Sequence, residues 1–143
     1  MLSEDGRPVI GLTLRFDRID NFWFTLMHEL AHVAKHLEDY KEPFFDDLQV
    51  VNTNDSREME ADKLAQNAMI PRHLWTRSDA FRQQTPDSIV KFADELYIHP
   101  AIVAGRIRRE KNNYYILSQF VGLGQVQTLF SEIDWNNKII RIK

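Results

Sequence analysis

FWFTLMHELAHVA, residues 22–34, decides how the rest of the chain is read. Nine of these 13 residues are hydrophobic, yet His28, Glu29 and His32 sit in the middle. An apolar run this dense is expected to form a buried helix, and burying ionisable groups without partners is costly. His28 and His32 are four residues apart, so on a helix both imidazoles project from one face and can reach one metal ion. Glu29 lies about 100° further round the axis, flanking the ion instead of competing for it. This is the H-E-x-x-H arrangement, whose glutamate serves as general base toward a metal-activated water. The alternative is two satisfied core histidines and a buried ion pair. The setting favours the metal, because these are the only three ionisable groups between Phe22 and Ala34. His36 continues the series but lies about 12 Å along the axis from His28, too far to share the ion. It is expected at the partly exposed surface.

A hydrolytic zinc site takes three protein ligands and leaves one position open. The chain has no cysteine, so the third ligand must be His, Asp or Glu. The candidates cluster in SREMEADKLAQ, residues 56–66. At about 100° per residue, Leu64, Ala68, Ala61, Ala65 and Met69 gather with Glu58 in one apolar arc. A carboxylate in a core-facing stripe needs a cation, which makes Glu58 the expected ligand. Asp62 lies beside the arc and is expected to accept a hydrogen bond from the free ring nitrogen of a ligand histidine, fixing its tautomer. Glu60 points away toward Lys63 and Asn67 and is the alternative ligand.

HELAH (28–32) followed by EMEADKLAQNAMIP (58–71) resembles the ImmA/IrrE family of zinc metallopeptidases. In that family the H-E-x-x-H helix is followed by E-x-E-A-[ND]-x-[FL]-A and an apolar-Pro ending. RPVIGLTLRFDRIDNFWF (7–24) and IHPAIVAGRI (98–107) resemble the branch associated with helix-turn-helix regulators and HigA-type antitoxins. The likeness extends over about residues 7 to 111. It implies an α+β, mainly helical, zincin-like fold with a small β-sheet beside the active-site helix. It also implies one Zn²⁺ ion on His28, His32 and Glu58, with Glu29 as catalytic base. The implied substrate is a protein or peptide, such as a regulator encoded nearby or an antitoxin-system partner. The rival expectation is a catalytically silent regulatory or antitoxin module of the same fold. Members commonly carry an N-terminal DNA-binding domain, whereas this sequence starts at the first strand of the peptidase-like part.

The bulk numbers agree with one domain over residues 1–143. A net charge of −3 gives no general pull toward nucleic acid or an anionic membrane. Two acidic residues precede the first apolar run, which excludes a signal-peptide pattern, and no run approaches the ~20 residues that span a bilayer. A soluble cytoplasmic protein is expected.

Elsewhere the reading is coarser. Residues 7–15 predict a strand, with Asp17 to Asn21 supplying a cap for the helix that runs to about Leu37. PFFDDLQVV (43–51) predicts a short strand near the first. Asp55 or Ser56 is expected to cap a second helix closed by Pro71. Trp75 and Phe81 are expected over the core. Residues 85–111 read as a helix-turn-helix-like pair with Arg106, Arg108, Arg109 and Lys111 available to phosphates. Tyr97 stands where such a turn usually has glycine, so the expectation is a pair that completes the core and shows a solvated basic face; direct DNA binding is not expected. His73, Tyr97 and His99 are polar enough to aid an oxyanion, but nothing singles one out. Residues 113–130 fit helix or strand equally, and KIIRIK (138–143) predicts a last strand.

Overall fold

A computed structural model describes residues 2–36, 50–130, 133 and 140–142. The elements, in chain order, are strand β1 (Ile10–Leu12), helices α1 (Ile19–His36), α2 (Val50–Met69), α3 (Arg72–Trp75), α4 (Asp79–Gln83), α5 (Pro86–Leu96) and α6 (Pro100–Glu110), 3-10 turns at Ser118–Phe120 and Gln127–Leu129, and strand β2 (Ile140–Ile142). No described helix is long and apolar enough to cross a membrane.

β1 is shorter than the predicted strand. Leu12 and Leu14 turn inward while Gly11 and Thr13 are exposed, the alternation of a strand with one buried face. Its described partner is β2, antiparallel, with Ile10 opposite Ile142 and Leu12 opposite Ile140. Of the apolar island expected beside β1, residues 43–49 lie outside the described residues, and Val50 and Val51 open α2. Asp55 and Ser56 therefore sit inside α2 instead of capping it. No glycine or proline interrupts residues 50–55, so nothing stops the helix from extending upstream.

α1 is less buried than its composition predicts. It packs against α2, α6 and β1, burying Ala31 and His32, but Trp23 and Leu30 remain 41% and 40% exposed. Its apolar residues run round the whole circumference, and the described neighbours cover only part of it. Asp17 does not simply cap this helix. Its Oδ1 accepts from the backbone N–H groups of Val126 and Gln127, at 2.9 and 2.8 Å. Ile19 N–H donates to the Val121 carbonyl at 2.9 Å. The C-terminal loop is thereby tied to the start of α1.

The main core lies among α3–α6: Trp75, Ile89, Val103 and Ile107 are at most 1% exposed, joined by Ile70, Phe92 and Ala93. Phe81 sits at its rim, edge-on to Trp75. The starts of α4, α5 and α6 are capped by side chains. Ser78 accepts from Phe81 N–H, Thr85 and Ser88 form a capping box ahead of α5, and His99 Nδ1 accepts from Ala101 N–H. Tyr97 ends α5 in the left-handed region at φ 55°, where glycine is usual.

Residues 112–130 are neither of the two expected forms, apart from the single 3-10 turns. Asn112, Leu117, Gly122 and Gly124 all have positive φ, which breaks both the helical and the strand period.

Candidate metal centre

Helix spacing stacks His28 and His32 on α1 with ring centroids 4.7 Å apart. Their Nε2 atoms are 3.0 Å from each other. α2 runs along α1 and turns Ala61 and Ala65 inward. One turn before Ala61, Glu58 reaches across. Its Oε2 stands 3.0 Å from His28 Nε2 and its Oε1 3.1 Å from His32 Nε2. One turn beyond Glu58, Asp62 Oδ1 lies 2.8 Å from His28 Nδ1.

The protonation of these atoms tests whether a metal fits. If His28 Nδ1–H donates to Asp62, the Nε2 of a neutral His28 carries a bare lone pair. That lone pair faces a carboxylate oxygen and a second imidazole nitrogen. Two nitrogens and two carboxylate oxygens then share at most the one proton of His32 Nε2. A cation placed among them would meet a lone pair from each of His28, His32 and Glu58. Tetrahedral bonds of about 2.0–2.1 Å separate ligand atoms by roughly 3.3 Å, close to the spacing here. One ligand atom from each of His28, His32 and Glu58 can be chosen so that all lie within 4.8 Å of one another. These residues could hold a metal ion.

The site is asymmetric. The side chains of His28 and His32 are 15% and 9% exposed, but that of Glu58 is 59% exposed. Glu58 therefore does not lie in a core-facing stripe. The strip covered on α2 is narrow, holding Ala61 and Ala65, while Glu58 and Ala68 at its edges are exposed. Glu60 is exposed as well and is not among the convergent residues. Glu29 follows His28 on α1 and is half-buried. The side chain of His36 lies outside the description.

The family model for the IrrE N-terminal-like domain, a peptidase family, matches residues 2–106. The chain belongs to this family. No curated protein and no solved structure matches it. The matched stretch of the IrrE-like domain carries His28, Glu29, His32, Glu58 and Asp62 together.

Two further residues adjoin this IrrE-like site. Phe24, one turn before His28, sets its ring 6.0 Å from the imidazole, tilted by 44°. The Arg109 guanidinium lies over the Phe24 ring, 3.4 Å from its centroid. Burial lowers the Arg109 pKa, against the pull of Tyr114, Asp20 and Asp62. Asp20, in the first turn of α1, is shifted the opposite way: burial raises its pKa, opposed first by Arg18. The i−4 spacing of Phe24 from His28 places it on the same face of α1. Arg109 carried no local signal.

The expected basic face of the 85–111 pair is not there. Arg106 and Arg108 are 7% and 3% exposed. Arg106 donates to Glu110 and to the carbonyls of Gln66 and Ile70, and Arg108 donates to the Tyr114 carbonyl. Of the four cations only Lys111 is fully on the surface. Arginine's long stem and five donors let it cross a core boundary and satisfy backbone carbonyls there. His99 uses Nδ1 in its cap, Tyr97 is 97% exposed, and His73 lines a shallow surface pocket with Asn67, Arg72 and Thr76.

Proposed function

We propose that this chain is a zinc-dependent endopeptidase of zincin-like fold, acting in the cytoplasm on a protein segment. The substrate we favour is a transcriptional regulator or antitoxin-system partner encoded nearby. The observation that carries this reading is the approach of His28 Nε2, His32 Nε2 and the Glu58 carboxylate to about 3 Å, inside a domain of a peptidase family.

His28, His32 and Glu58 hold the ion. Zinc bound there supplies the Lewis acidity that makes water acidic near neutral pH. Asp62 keeps the His28 proton on Nδ1, so Nε2 stays free to donate its lone pair. Glu29, partly open to water, takes the proton of the attacking water and returns it to the nitrogen of the departing peptide. β1 packs on α1 and can present an extended peptide to the site by strand addition.

The test is metal content and cleavage measured together. The purified protein is expected to hold about one zinc, and His32→Ala to hold none. The neighbouring regulator is expected to be cut by wild type, and to stay intact with chelator or with Glu29→Gln. Full biological effect from Glu29→Gln would favour the silent binding module instead, and equal metal content in His32→Ala would end the proposal.

A further inference from the structure

The geometry points to Arg109 as a positioning residue for the metal centre, acting on His28 through the ring of Phe24. This rests on the metal-site reading above. The Arg109 guanidinium carbon stands 3.4 Å from the centroid of the Phe24 ring, well inside the roughly 6 Å reach of a cation–π contact and close to the spacing of a planar group laid flat on a ring. The Phe24 ring in turn lies 6.0 Å from the His28 imidazole. Arg109 comes from the last turn of α6, so an element remote in sequence holds the surface against which a ligand histidine rests.

A second link runs through charge. Asp62, 2.8 Å from His28 Nδ1, attracts the Arg109 cation, as does Asp20, while Arg106 repels it. The imidazole thus has beside it an aromatic ring on which the guanidinium lies, and at Nδ1 a carboxylate within the field of that guanidinium. Burying that guanidinium is unfavourable in itself, and a flexible arginine on a terminal turn would otherwise regain hydration by swinging outward. A lysine would bring the charge without the flat face. Position 109 lies beyond residues 2–106, so the family match does not supply this role.

The test titrates the full 143-residue chain with Co²⁺ against a competing chelator, with the visible d–d absorption reporting ligand geometry. Loss of a positive charge near a dication tightens binding if Coulomb energy alone matters. Loss of the surface behind His28 loosens it. Arg109→Ala and Phe24→Leu are each expected to weaken Co²⁺ binding about tenfold, the scale of contacts that support metal ligands. The double variant is expected to be no weaker than the worse single, because the two side chains act as one unit. Arg109→Gln keeps most of the length without the charge; it is expected to weaken binding too, and it decides the matter if the alanine variant loses its helical circular dichroism. Binding unchanged or tightened in the Arg109 variants, or losses that add in the double, would overturn the inference. Wild type binding Co²⁺ no better than His32→Ala would instead sink the metal-site reading itself.

Discussion

Between α3 and α6 the fully buried residues include large side chains: Trp75, Ile89 and Ile107 are at most 1% exposed. Along α1 and α2 the apolar residues that are buried are small. Ala31, Ala61 and Ala65 are buried, while Trp23, Leu30 and Met59 are 41%, 40% and 60% exposed. The first region is a conventional hydrophobic core, whose burial at about 25 cal/mol per Å² dominates the folding energy. The second is a thin seam of alanines with His32 buried in it. Small residues let α1 and α2 approach, and that approach brings Glu58 within reach of two histidines. One region supplies cohesion and the other supplies distance.

The sharpest way to break this division is Trp75→Ala. It is expected to lower stability by about 3–5 kcal/mol in a denaturant titration, the usual cost of deleting a large core aromatic. The indole N–H bonds to Glu110 are lost as well. A loss under about 1 kcal/mol would mean that cohesion lies elsewhere. Next comes the ion. At a hundredfold excess over its dissociation constant, zinc is expected to stabilise wild type by about 2.7 kcal/mol and His32→Ala not at all. Ala61→Leu is expected to cost about 2 kcal/mol by overpacking the seam. It should also abolish zinc binding, read by equilibrium dialysis; retained affinity would show that the seam does not set the site.

The smallest effect is a slope. Burial raises the pKa of Asp20 above its ordinary value of 3.8, so the folded chain favours the protonated form. Stability from this group is present below that ordinary value and is lost as pH rises through the raised one. Asp20→Asn does not titrate. Its melting temperature is expected to gain on wild type as pH is taken from about 3 to about 7, and a constant difference would remove Asp20 from the account.

The residues of the candidate centre were legible because helical spacing is local information. His28 and His32 at i, i+4, and Glu58 with Asp62 at i, i+4, fall on faces that a wheel identifies without a fold. Exposure was not legible. Glu58 joins the histidines from the solvent side, since which strip of α2 is covered depends on where α1 lies. The same limit hid Arg106, Arg108 and Arg109. A charged side chain reads as solvated until a distant carbonyl or ring appears beside it, here those of Gln66, Ile70, Tyr114 and Phe24. β1 found its described partner at the far end of the chain, a pairing that no local pattern encodes. Residues 112–130 defeated both periodic templates because their backbone repeatedly enters the left-handed region.

Arg106 has a consequence beyond its own burial. By holding the carbonyls of Gln66 and Ile70 at 3.2 Å, it fastens the tail of α2 to α6, while the middle of the same helix carries Glu58. That helix is a shared beam: melt the oily interior and the cradle of His28, His32 and Glu58 loses its support in the same event. Loosening the contact at the tail would therefore slacken the stretch on which Glu58 stands.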